Sequence, residues 1–225
     1  MYFQRINITY ITSHNKFYYI SKSLKLALHL FSMNLAIIKY NAGNVVSVTN
    51  ALNRLGVEPI LTDDPERLQK ADKVIFPGVG EASTAMRYLK SKGLDQLIPQ
   101  LKQPFLGICL GLQLMCRYSE ENDTQCLDIF GLDVKKFPAK AKVPQIGWNA
   151  LTDITSPLFS GLPEVPYVYF VHSYYAELGE HTIARSEYVL PFSAALHRDN
   201  FYAIQAHPEK SGATGSMILQ NFLNL

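Results

Sequence analysis

The chain has 225 residues, 48% of them hydrophobic and 18% charged, with a net charge of +2 from 21 basic and 19 acidic side chains. That balance excludes wholesale disorder, and so small a charge, without a basic arm or an acidic tail, gives no support for sequence-independent attraction to nucleic acid. Three cysteines, Cys109, Cys116 and Cys126, form no CxxC pair, and the six histidines stand at no metal-ligand spacing from them, so no metal site is expected and the thiols read as those of a reduced, cytoplasmic protein.

The charge is unevenly placed. Residues 1–32 hold Arg5, Lys16, Lys22 and Lys25 and no acid, which leaves the following 193 residues with a net −2. A basic, acid-free leader is compatible with targeting, but this one has a single arginine, an apolar run over 24–31 interrupted by His29, and no small-residue cleavage site after it. The run is also far short of the ~20 residues that span a bilayer. The expectation is that Met33 is the natural start and residues 1–32 an upstream or dispensable extension, with a targeting segment or a structural element as alternatives, and that residues 33–225 form one domain.

From residue 33 short apolar runs alternate with helical periodicity, the mark of a βα-alternating fold around a largely parallel sheet. Leu35–Ile38 is the first strand. Asn44 stands where a helix cap is expected, before Val45, Val48, Leu52 and Leu55 on one face and Gly56 at the C-terminal end. Strands follow at 57–61 and Lys73–Phe76, the latter ended by Pro77-Gly78-Val79-Gly80, then a helix over 83–92. A strand at 105–109 passes directly into an apolar helix at 110–118. Beyond it the runs 132–137, 167–174, 182–185, 194–197 and 201–205 have mixed polarity and turns such as Asp199-Asn200, which predicts antiparallel hairpins added to the parallel core. A helix over 215–222 closes the chain.

Gly107-Ile-Cys109-Leu-Gly111 places a cysteine between two glycines at a strand-to-helix junction. This is a nucleophile elbow with Cys in place of Ser: the tight turn exposes the sulfur, and the helix N-terminus favours the thiolate and offers N–H groups to an oxyanion. Cys116 and Cys126 lack the glycines and read as structural. A cysteine nucleophile needs a base and a group to orient it, and His207-Pro208-Glu209 supplies both two residues apart. His172 is a rival base; His181 and His197 read as solvated. The 77–80 loop ends a strand on the same edge as the elbow, where its glycines would let a peptide flip and turn the Val79 N–H toward an oxyanion. No Lys-Ser or Lys-Thr follows it, so it is not a phosphate-binding loop.

With Cys109, His207 and Glu209 in that order, the chain resembles the class I (triad) glutamine amidotransferases, whose GxCxGxQ motif is matched by Gly107, Cys109, Gly111 and Gln113 and whose terminal HPE is matched by 207–209. Within that superfamily it is similar to the glutaminase subunits of imidazole glycerol phosphate synthase, on the blocks 77–80, 143–149, 169–174 and 205–212. The resemblance covers residue 33 to the C-terminus. It implies an α/β fold with a largely parallel central sheet, no cofactor, and hydrolysis of glutamine through a Cys109 thioester, with Leu110 and, after a flip, Val79 as backbone oxyanion donors. It further implies that Gly80, Gln113, Ser173 and Tyr174 hold the substrate's amino and carboxylate groups. Ammonia would pass to a (β/α)₈-barrel cyclase partner in a heterodimer, with Trp148, Asn149, Tyr169 and Lys210 facing the partner and Trp148 an exposed anchor in a Pro/Gly loop. Glu81-Ala82 departs from the small residue and Phe usual after PGVG, which bears on how the oxyanion loop packs. Alternatives are a paralogous subunit feeding a surface-sugar pathway, an amidotransferase of tryptophan or guanine nucleotide synthesis, and a non-catalytic relic.

Overall fold

The computed structural model describes residues 10–13, 16–19, 33–40 and 43–225, and the chain divides into two units, Met1–Met33 and Asn34–Leu225. In the first, β1 (Tyr10–Ser13) pairs antiparallel with β2 (Lys16–Tyr19), a hairpin that the sequence pattern does not announce. The apolar run 24–31 lies outside the described residues.

In the second unit β3 (Leu35–Ile38), β5 (Lys73–Phe76) and β6 (Phe105–Ile108) are buried at every position, as continuous apolar runs should be when both sheet faces are covered. With β4 (Ile60–Thr62) they pair in parallel in the order β4-β3-β5-β6. Helix α1 (Val45–Arg54) buries Val48 and Leu52 of the expected stripe with Ala51 beside them, while Val45 and Leu55 are half-buried, and Gly56 follows at φ +81. The second strand starts three residues later than 57, because Val57 is spent on packing at 2% exposure. A helix not anticipated, α2 (Pro65–Lys70), is set by Asp64, whose carboxylate accepts the N–H groups of Glu66 and Arg67, and by Pro65 at its first position; six residues are too few to show a period. Helices α3 (Ala82–Ser91) and α4 (Leu94–Leu97) lead to β6. Helix α5 (Leu110–Met115) stops before 118: Cys116 is extended, and Tyr118 opens a small hairpin of β7 (Tyr118–Ser119) and β8 (Thr124–Gln125). A short apolar run does not itself distinguish helix from strand.

The antiparallel additions are β9 (Asp133–Lys136), β10 (Gln145–Ala150), β11 (Tyr167–His172), β12 (Tyr174–Ala176), β13 (Thr182–Tyr188), β14 (Leu190–Arg198) and β15 (Phe201–Ile204). The main sheet continues β6-β15-β14-β12-β9-β7-β8, with β13 on β14, and β15 joins the halves by pairing parallel to β6 and antiparallel to β14. The run 167–174 is two strands, not one: β11 ends at His172 and pairs with β10 in a separate ribbon, whereas β12 joins the main sheet. Trp148 accordingly lies on a strand opposite Tyr169 rather than in a loop. Helix α6 (Gly212–Asn224) is longer than predicted and crosses so close to the 208–210 turn that a Cβ on Gly215 would meet Pro208 O at 1.9 Å.

Because β5, β6 and β15 run parallel, their C-terminal ends share one sheet edge. The 77–80 loop, Cys109 and His207 leave from those three ends, so the topology alone gathers them.

Candidate active site

Cys109 caps α5 with φ +54 and ψ −105, a strained backbone for any residue with a Cβ. Its surroundings admit little else. A Cβ on Gly111 would lie 1.9 Å from Phe76 O, and one on Gly107 2.5 Å from Met115 Sδ and 3.0 Å from the backbone of Gly111 and Leu112. The Cys109 N–H donates to Ile204 O at 2.8 Å, tying the elbow to β15. The sulfur, on a residue 5% exposed, lies 3.8 Å from Val171 O and 3.6 Å from Gln205 Nε2.

His207 is held on both sides: its N–H donates to Tyr169 O at 2.8 Å and its carbonyl accepts from Ser211 Oγ at 2.7 Å. The side chains of His207 and Glu209 are 1% and 0% exposed, and Nδ1 donates to Glu209 Oε1 at 2.7 Å. Nε2 therefore faces the elbow, and both it and Glu209 Oε2 are buried with no hydrogen-bond partner among the described residues. Burial alone would lower the imidazole pKa. The negative charge of a Cys109 thiolate and the Glu209 carboxylate outweigh it and hold the imidazolium well above its ordinary range. His172, the rival base, is instead fixed 2.8 Å from both Tyr174 O and Gln145 Oε1, and burial brings its pKa down to about 4. His181 and His197 are half-buried rather than solvated; His181 pairs with Glu180, and His197 donates to Asp199 O while stacked on Tyr202.

Neither expected oxyanion donor is in place. The Leu110 N–H donates to Gly78 O at 3.2 Å, the Gly43 N–H to Val79 O at 3.3 Å, and the buried Tyr40 hydroxyl to Pro77 O at 2.5 Å. Since a peptide is planar and trans, a Gly78 carbonyl aimed at Leu110 turns the Val79 N–H away from the elbow. The flip inferred from the glycines is thus one the 78–79 peptide has still to make. Glu81, at the start of α3, accepts from Ser83, Thr84 and Asn122, which hold its carboxyl down at about 2, while Glu121 accepts the Ala82 N–H at 2.7 Å. Glu81, where the family has a small residue, thus ties the start of α3 to the β7–β8 hairpin through Asn122, and Ala82, where the family has Phe, is fully buried.

Gln113 is buried, its Nε2 donating to Tyr174 O at 2.9 Å and Gln205 Oε1 at 3.1 Å, so it borders the cysteine through Gln205. Ser173, between β11 and β12, and Tyr174, the first residue of β12, are half-buried, and Ser173 O accepts from Phe137 N. Trp148 is 56% exposed, edge-on to Tyr169 at 5.9 Å, beside Ile146 and Tyr167 on an apolar face of the β10–β11 ribbon, and Lys210 is exposed. Asn149 departs from that face: its Nδ2 donates to Glu187 O at 2.6 Å. Sequence reasoning passed over three residues of the site. Gln205 stood inside a quoted block as a polar residue between an apolar strand and His207; Tyr40 carried no signal; Asn44 was read only as a cap.

The model of the glutamine amidotransferase class-I family matches residues 36–225. Imidazole glycerol phosphate synthase subunit HisH of Bacteroides thetaiotaomicron is 59% identical over 86% of this chain and 100% of its own length. The chain belongs to the HisH family of class I glutamine amidotransferases. A HisH subunit of Colwellia psychrerythraea is 44% identical, covering 84% of this chain and 92% of the relative. Among solved structures, a glutamine amidotransferase matches with TM-score 0.67 at 19% identity over 84% of this chain and 97% of that one, and one from Thermotoga maritima with TM-score 0.59 at 18% identity over 85% and 83%. These likenesses bear out the α/β amidotransferase fold read from the motifs. The HisH names favour histidine biosynthesis over a surface-sugar paralogue.

Proposed function

We propose that this chain is the glutaminase subunit of an imidazole glycerol phosphate synthase, releasing ammonia from glutamine for a (β/α)₈-barrel cyclase partner that makes imidazole glycerol phosphate and an aminoimidazole carboxamide ribotide. The observation that carries it is the elbow cysteine opposite the unpartnered Nε2 of a histidine whose other nitrogen Glu209 holds. Cys109 attacks the glutamine carboxamide as thiolate; His207 gives its proton to the departing ammonia, then takes one from the water that cleaves the thioester, and Glu209 keeps the ring in register through both steps. Leu110 and a flipped Val79 hold the tetrahedral oxyanion. Gly80, Gln113, Ser173 and Tyr174 border the place for the amino and carboxylate groups of glutamine. The apolar face around Trp148 and Tyr169, with Asn149 and Lys210 at hand, is the surface for the cyclase. The amidotransferase domain is taken as residues 33–225 and its compartment as the cytoplasm; no described helix is long and apolar enough to cross a membrane.

The test is synthesis of imidazole glycerol phosphate by the chain mixed with a purified cyclase. Glutamine should support turnover with glutamate formed in equal amount. Cys109→Ser should lower glutamine-dependent turnover by at least about a thousand-fold while added ammonia still supports synthesis. Failure of glutamine to support synthesis by a cyclase that works with ammonia would overturn the proposal.

A further inference from the structure

Asn44 occupies the N-cap of α1 with φ +73, yet its side chain makes no capping bond. Its Nδ2 donates instead to Glu209 Oε1 and lies 3.4 Å from His207 Nδ1. A carboxylate only accepts, so the amide must present its nitrogen to Glu209. His207 Nδ1 donates to the same oxygen, while Oε2 has no partner among the described residues. A carboxylate wholly out of water depends on the few donors it keeps, because an unsolvated anion is costly. The same stretch of chain reaches the oxyanion loop through Gly43 and Tyr40.

We infer that Asn44 is a positioning residue for Cys109, His207 and Glu209, holding the Glu209 carboxylate aimed at His207. The inference rests on the triad reading above. Without the Asn44 donor the buried carboxylate is held by the His207 N–H alone, orients the imidazolium less firmly, and the imidazolium then supports a Cys109 thiolate less. The titratable groups facing the pair are Cys109 from the elbow, Glu209 from the 208–210 turn, His172 from β11 and Tyr40 from the end of β3. Burial keeps His172 neutral above about 4 and, helped by the charge of Cys109, keeps the Tyr40 hydroxyl protonated well past its usual range.

The experiment follows alkylation of Cys109 by iodoacetamide against pH in the full chain, with Cys109→Ser as the background for Cys116 and Cys126, beside glutaminase kcat and KM in the complex with the cyclase. Two substitutions separate the side chain from the turn. Asn44→Gly suits the left-handed backbone but has no donor; Asn44→Gln keeps an amide donor but suits that backbone poorly. Asn44→Gly should move the acid limb of alkylation up by about one pH unit and lower kcat about ten- to hundred-fold with KM within about two-fold. Asn44→Gln should keep the limb nearer its original place while lowering the thermal midpoint. An unmoved limb in Asn44→Gly, or equal movement in both, overturns the inference. A wild-type chain whose Cys109 reacts no more readily at low pH than an ordinary thiol would instead remove the triad reading beneath it.

Discussion

The elbow at 107–111 and the loop at 77–81 lie side by side on one sheet edge and are built in opposite ways. Around Cys109 each neighbouring glycine is demanded by backbone or core atoms, and the N–H of the cysteine is tied to the next strand. Around Val79 each loop carbonyl is held by a single hydrogen bond, and a flip of the 78–79 peptide gives up only the one from the Leu110 N–H to Gly78 O, while Gly80 has only Leu110 near. The nucleophile is therefore fixed by packing, while the oxyanion donors depend on the state of one peptide. Packing defines a single arrangement; a few hydrogen bonds, each worth about 1 kcal/mol net, can be traded by a binding partner.

The contrast breaks most decisively at Gly111. Gly111→Ala should cost about 4 kcal/mol or more, because its Cβ meets the Phe76 carbonyl, which cannot move without shifting β5; a thermal midpoint close to wild type would show the elbow to be looser than described. Gly78 is the sharper comparison. A Cβ there would fall 1.9 Å from the Tyr40 hydroxyl, the end of a side chain. Gly78→Ala should cost about 1–3 kcal/mol by urea unfolding, and adding Tyr40→Phe should recover part of it, whereas additive losses would contradict a clash at that oxygen.

Two expected effects concern pH. His172 has its folded pKa lowered from 6.5 to about 4 by burial, so the unfolded chain binds the extra proton and the stability present above 6.5 is lost as pH falls toward 4. His172→Gln should flatten that slope whatever it does to absolute stability. The smallest effect belongs to Glu81, lowered from 4.5 to about 2 by Ser83, Thr84 and Asn122. Its contribution is complete above 4.5 and lost as pH falls toward 2, so Glu81→Gln should reduce acid sensitivity slightly in that window and change glutaminase activity less than about two-fold, since exposed polar ties are weak.

The parallel half of the fold was legible because β3, β5 and β6 are short, almost wholly apolar runs, the latter two followed closely by glycines, and the elbow because its chemistry is local in sequence. The β11–β12 break was not legible: 167–174 is one apolar-aromatic run, and only pairing with β10 on one side and β9 on the other divides it. His207 and Glu209 could be read from a tripeptide, but Asn44 lies more than 160 positions from them, and a cap and a carboxylate donor are written with the same residue. The occupied Leu110 N–H has no sequence signal either, since it depends on how one peptide is turned.

The central claim, a preformed nucleophile beside an oxyanion site still closed, is tested most directly by the glutaminase rate of the chain alone and with the cyclase carrying its own ligand. Little hydrolysis is expected from the chain alone, and an increase of at least about a hundred-fold in the liganded complex, in keeping with the worth of one oxyanion donor. Equal rates in the two conditions would mean that the loop does not gate the site.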